Sequence, residues 1–440
     1  MSQFCKIGFH AGVGGNRTGI GDYMRRLDAA GIPLSVKGAD DAGLAVEAAQ
    51  YARSSGVRHN ILLRFTQPGG AHDDVPDFSL PPEQAAREHW QRVKQSIPPE
   101  IEPIKDLIWI EPTNEIDTHT RAAWLGWFCY HIGRIANADG YKVALAGFNA
   151  GQPEPDHWQL PGFKRYLADC AARPDQVAIS IHEAKLTDMH APPQSFVPQL
   201  LGRFLYLFAT CDLLGLARPT VFISEWAWSY NTMPEPDKAM DDVKWLCRFL
   251  ARYPTVRGVF LWNLGGGSQW SDLPHKLQRL IAPITQHTLN TAFDEPEDAP
   301  LPAEVKVALI ENEDEEQPEE EKETENPDDH SKPVQHRGQP REQYERTYIL
   351  LPPNASEAWA TAAVQATWDD RRYTVGASAD DAGIGDLDKK TVIAVNPAAW
   401  GDGEDGQGLA GFYRKYYPHT RYRAIEAASP ADLRNQLARL

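Results

Sequence analysis

From residue 1 to about 290, short apolar runs rich in Val, Ile and Phe alternate with longer stretches. In those stretches apolar residues recur every three or four positions. The short runs predict strands and the long ones amphipathic helices. Strands are expected at 5–10, 33–37, 60–66, 107–110, 142–146, 177–182, 220–224 and 258–262. Helices are expected at 21–30, 43–54, 83–96, 120–138, 162–172, 196–214 and 239–252, with an eighth near 273–287. Eight strand–helix units in this length predict a (β/α)8 barrel over 1–291. A doubly wound open sheet would also alternate this way. Its phosphate-binding signatures are missing. Gly12-Val13-Gly14-Gly15-Asn16-Arg17 lacks the third glycine of a dinucleotide loop, and Ile20 follows Gly19 where a P-loop needs Lys.

The pattern stops near 292. Residues 292–343 are expected to be a linker, and 344–440 a small α/β domain of unassigned function. Its strands are expected at 348–351, 373–377, 391–395 and 422–425, with helices at 356–371, 409–417 and 430–440. Charge sharpens the division. The formal net charge is −17, yet residues 294–329 hold 17 acids against 2 lysines. The rest of the chain is close to neutral, without the broad basic face that nucleic-acid binding needs. An acidic run of that density repels itself and buries little apolar area, so disorder is expected there. The C-terminal domain carries no catalytic signature and is expected to bind a partner of unassigned identity.

No signal-peptide pattern opens the chain. The most apolar run, 200–217, contains Arg203 and Asp212 and is too short to span a bilayer. The five cysteines are odd in number and far apart, and no two form a CxxC pair. Reduced, buried thiols in a cytoplasmic protein are the expectation. Neither a zinc pattern nor a cofactor motif is present, so no cofactor is expected.

Chemistry concentrates at three expected strand ends. Strand four leads from Trp109 and Glu111 into Asn114-Glu115. Strand seven ends in Ser224-Glu225-Trp226, and strand eight in Trp262-Asn263. In barrels of this kind the active site lies at the C-terminal ends of the strands. Two glutamates at one barrel mouth suggest a carboxylate pair. Acetal cleavage needs such a pair, one group to protonate the leaving oxygen and one to meet the anomeric carbon. Glu183 is a rival carboxylate, but strand alternation turns it away if its neighbour His182 faces in.

These motifs, in register with the strand count, resemble the clan A glycoside hydrolases, a group of (β/α)8 retaining glycosidases. The resemblance covers about residues 1–290. It implies Glu115 as general acid/base, Glu225 as nucleophile, Asn114 as a hydrogen-bond partner of the sugar and Trp262 as a stacking platform. It also puts His182, at the end of strand six, against substrate or Glu225. Arg64 would hold Glu225 ionised. His10 and Trp226 are further expected substrate contacts, and the loops 67–82 and 149–161 are expected to wall a cleft. Two positions depart from the pattern. Ile116 stands where Pro usually follows Asn-Glu, and strand two offers only Lys37 where Arg is usual. The activity implied is retaining hydrolysis of O-glycosidic bonds in an oligo- or polysaccharide. The alternatives are a carbohydrate-binding scaffold without turnover and a barrel enzyme using Glu225 as a plain base beside a metal.

Overall fold

The computed structural model describes the chain except for residues 1–2, 13–14, 16, 66–74, 187, 230–231, 266–272, 295–298, 306–345, 354, 368–372, 378, 380–389, 402–407, 419 and 440. The chain divides into two compact units, Met1–Glu319 and Glu320–Leu440.

In the first unit eight parallel strands close into a barrel in chain order. They are β1 Ile7–Gly12, β2 Ser35–Ala39, β3 Asn60–Arg64, β4 Trp109–Ile110, β5 Lys142–Phe148, β6 Val177–Ala184, β7 Val221–Ala227 and β8 Val256–Leu261. Around them run α1 Ile20–Ala29, α2 Ala42–Ser55, α3 Pro82–Ser96, α4 Thr118–Ala138, α5 Pro161–Ala172, α6 Phe204–Leu213 and α7 Pro236–Ala251. The expected eighth helix is two, α8 Leu273–Gln278 and α9 Ile281–Asn290. Helix α6 begins later than 196 because Pro198 has no N–H to give and Gly202 takes a left-handed φ of 68°.

Strand period places the functional layer. The barrel floor is Leu62, Trp109, Ala144, Ala178, Phe222 and Phe260, all fully buried. Two residues further along β3, β4, β6, β7 and β8 come Arg64, Glu111, Ser180, Ser224 and Trp262. Side chains alternate along a strand, so these stand on the same inner face, one layer nearer the mouth. An apolar plug thus closes the barrel beneath a polar rim.

Several expectations change at the edges of this unit. The described residues between 292 and 305 do not leave the barrel at once. Ala292–Phe293 pair antiparallel with Gln3–Phe4. The Ala299 N–H donates to the Arg252 carbonyl at 3.0 Å, and Ala299 and Val305 are buried. The few apolar residues among the prolines and acids find a surface there. The acidic stretch 306–343 lies outside the described residues. The expectation of five reduced thiols is also corrected. Cys5 and Cys247 form a disulfide across 242 residues of sequence, with Cα atoms 4.7 Å apart. Barrel closure packs the start of the chain against α7, a proximity that sequence spacing does not display. Cys129, Cys170 and Cys211 are free and buried.

The second unit is a parallel four-stranded sheet in the order β10-β9-β11-β12. Its elements are β9 Arg346–Leu350, α10 Glu357–Thr367, β10 Tyr373–Gly376, β11 Lys390–Val395, α11 Gly408–Tyr416, β12 Thr420–Ile425 and α12 Pro430–Leu437. Alternating residues of β9 and β11 serve two cores. Ile349 and Ile393 belong to one, and Tyr348, Leu350 and Val392 to the other. No described helix is long and apolar enough to cross a membrane.

Candidate active site

Glu225 owes its place to an irregularity. Phe222 and Ser224 already point inward, so strict alternation would send Glu225 out. The pairing of β7 slips against β6 between Ile181 and His182, and against β8 between Ile223 and Trp226. The slip turns Glu225 into the mouth, where its side chain is 14 % exposed. Lys37 Nζ lies 3.2 Å and Arg64 Nη1 2.9 Å from its Oε1. Burial alone would raise the Glu225 pKa. The neighbouring charges, Lys37 and Arg64 among them, outweigh burial and hold it well below the usual carboxylate range.

Beneath it lies Glu111, fully buried, with Lys37 Nζ 2.5 Å from its Oε2. Ser180 Oγ donates to its Oε1, and Ser180 and Ser224 hydroxyls lie 2.6 Å apart. Burial again opposes ionisation, and Lys37 and Arg64 overcome it, drawing Glu111 down to about 2. Two cations thus meet two carboxylates in the layer above the plug. Lys37 and Glu111 were not among the expected contact residues. The available signal was a charged residue set within an apolar strand, two positions beyond a floor residue or facing one.

Glu115 follows β4 in a left-handed conformation, φ 48°. Its N–H donates to the Gly147 carbonyl at 2.8 Å. Gly147 belongs to a bulge in β5, between Leu145 and Phe148, and has φ 51°. A Cβ on Gly147 would lie 2.7 Å from the Thr113 carbonyl oxygen, so only glycine fits. The described non-glycine residues of this unit with positive φ are Asp40, Glu115, Ala146 and Leu186. All lie at or just past the C-terminal ends of β2, β4, β5 and β6. Backbone strain of this kind gathers at functional sites.

His182 is 4 % exposed, and its Nδ1 lies 2.9 Å from Glu115 Oε1 and 3.7 Å from Glu225 Oε2. Arg64 Nη1 also donates to Asn114 Oδ1, which fixes that amide with its nitrogen free of this contact. His10 is buried beside Lys37 and Glu225. Burial, then the Lys37 charge, pushes its pKa down to about 3. Neither of its ring nitrogens has a hydrogen-bond partner among the described residues. Trp262 is half-buried at the end of β8, its N–H donating to the Trp226 carbonyl at 2.9 Å.

Trp226 is not at the mouth. With Glu225 turned in, its neighbour points behind the barrel wall. There Trp226 is fully buried and meets Trp228 edge-on at 4.7 Å, so the expected substrate contact is corrected to a packing role. Glu183 also points away, accepting from the Arg203 N–H at 2.9 Å. Of the expected cleft walls, 149–161 is described and 66–74 is not.

One oxygen each of Glu115 and Glu225 and one ring nitrogen of His182 lie within 4.8 Å of one another. That spacing would admit a metal ion. Lys37 and Arg64 already engage Glu225, however, and a further cation would face both charges. The donor set is therefore poorly matched to a metal.

No family model and no curated protein matches the chain. Among solved structures, it is similar to the catalytic domain of a mannanase from Streptomyces sp. SirexAA-E. Identity is 18 %, over 65 % of this chain and 87 % of that one, with TM-score 0.38. A β-mannanase from Streptomyces thermolilacinus with mannohexaose shows 16 % identity, 66 % and 91 % coverage, and TM-score 0.35. A family 5 xyloglucanase from Paenibacillus pabuli shows 12 %, 61 % and 90 %, and 0.35. At this similarity they assign neither a family nor an activity to the chain.

Proposed function

We propose that the protein hydrolyses O-glycosidic bonds of an oligo- or polysaccharide by double displacement. The observation that carries this reading is the opposed pair at the barrel mouth. Oxygens of Glu115 and Glu225 lie within 4.8 Å. That is nearer the roughly 5–5.5 Å of retaining enzymes than the about 6.5–9.5 Å at which an inverting pair holds a water between its carboxyls.

The two carboxylates are unlike, as the reaction requires. Glu225 is kept ionised and aimed by Lys37 and Arg64, the state of a nucleophile. Glu115 is 40 % exposed and accessible to a leaving group. In the first step a Glu225 oxygen bonds the anomeric carbon. The bond to the leaving oxygen breaks, and that oxygen takes the Glu115 proton. In the second step Glu115 takes a proton from water, the water oxygen bonds the anomeric carbon, and Glu225 departs as carboxylate. We assign the Asn114 amide nitrogen to donate to the adjacent sugar hydroxyl, Trp262 to serve as a stacking surface and His10 as a polar wall.

A screen of aryl glycosides and oligosaccharides tests the reading, with the anomer of the first product followed by NMR. Retention is expected. Glu225→Gln should lower kcat on the order of 10⁴-fold or more while circular dichroism stays unchanged. An inverted product, or wild-type turnover in that variant, would overturn the proposal. Binding without turnover by the wild-type protein would favour a sugar-binding scaffold.

A further inference from the structure

His182 stands in the strand-six position expected to serve substrate or the nucleophile. Its geometry favours the other carboxylate. Nδ1 is 2.9 Å from Glu115 Oε1, a hydrogen bond, and 3.7 Å from Glu225 Oε2, beyond one. Nε2 is buried without a partner among the described residues. A ring whose only proton sat on Nε2 would bury that N–H unsatisfied and set a lone pair against a carboxylate. The proton is therefore on Nδ1, and Nδ1 donates to Glu115. Glu225 already has two cationic partners on Oε1, whereas His182 is the ring against Glu115. The His182 side chain is itself nearly wholly buried, so the donor is fixed by packing rather than by solvent.

We infer that His182 is the positioning residue of the acid/base Glu115, an inference that rests on the glycosidase reading. By occupying Oε1 with an N–H, it restricts the transferable proton of Glu115 to Oε2. After that proton leaves, the same N–H stabilises the new carboxylate. His182 itself neither gains nor loses a proton in either step. The interaction strengthens as charge develops on Glu115, which is where it accelerates the reaction.

Leaving-group dependence separates this role from service to Glu225. A 2,4-dinitrophenoxide departs without protonation, and a phenoxide needs the acid. In His182→Ala, kcat/KM on the phenyl glycoside should fall on the order of 10²-fold. On the dinitrophenyl glycoside it should stay within a few-fold. Azide, a nucleophile that needs no general base, should then accelerate dinitrophenyl turnover and yield the retained glycosyl azide. His182→Asn puts an amide N–H near the place of Nδ1 and should recover most phenyl glycoside activity, which also guards against a folding defect in the alanine variant. Equal losses on both glycosides without azide rescue would assign His182 to Glu225 and overturn the inference. Unchanged kinetics in His182→Ala would overturn it as well. Absence of hydrolysis by the wild-type protein on every glycoside would instead remove the reading it rests on.

Discussion

At the scale of single residues, burial and charge decide what each carboxylate does. Glu111, Glu183 and Glu225 are all withdrawn from water, yet Glu183 goes the opposite way. The charge acting on it, Arg203, is too weak to offset its burial. Burial, only partly offset by the N–H groups of Gly202 and Arg203, raises it to about 7. The folded protein therefore binds the Glu183 proton more tightly than the unfolded chain, whose glutamate titrates near 4.3. Stability from this group is fully present below that value and is lost as pH rises through about 7. Glu183→Gln removes the titration, so melting temperature should fall less between pH 5 and 8 than in the wild type, as differential scanning fluorimetry reads. An unchanged slope would show that Glu183 is not the group responsible. The direction in which Glu183 points was legible from alternation with His182. The roles of Lys37 and Glu111 were less so, because their meaning lies in pairing across β2, β4 and β7. No single segment contains that pairing.

At the scale of elements, the strands were legible because their apolar runs are short and regular, and their inner faces follow period two. What escaped the pattern is where period two breaks. The slip in β7 brings Glu225 in and sends Trp226 out, and no residue type in Ser224-Glu225-Trp226 announces it. The bulge in β5 is similar. Its marker, Gly147, could equally signal a tight bend or a close backbone approach. Yet Gly147 carries the carbonyl that holds the Glu115 N–H. Gly147→Ala combines a positive φ with a Cβ 2.7 Å from a backbone oxygen, so the bulge must shift. The cost to stability should be about 1–3 kcal/mol. A displacement of about 1 Å in the acid/base costs on the order of 10²-fold in rate. Kinetics on the phenyl glycoside should therefore suffer far more than the urea midpoint. A variant that lost stability but kept full activity would show that the bulge does not position Glu115.

At the scale of the whole molecule, charge located the division of the chain better than it located the end of the barrel. The acidic run is dense only after residue 310, and the preceding residues divide their affinities. Phe293, Ala299 and Val305 lie on the barrel among acids and prolines, and a composition window averages them into the linker. A chain ending at 305 keeps those contacts, and one ending at 291 loses them. Loss of two partly apolar anchors and the Gln3–Phe4 pairing costs roughly 2–3 kcal/mol at about 25 cal/mol per Å². The 1–305 chain should therefore melt at the temperature of the barrel transition in the full chain, and the 1–291 chain several degrees lower. Both should retain the Cys5–Cys247 bridge, since neither cysteine is removed. Glu115, Glu225, His182, Lys37 and Arg64 all lie in the first unit, so 1–305 should also match the full chain in kcat and KM on an aryl glycoside. Equal melting of the two truncations would place the barrel's edge at 291. A fall in kcat for 1–305 would give the C-terminal unit a part in turnover.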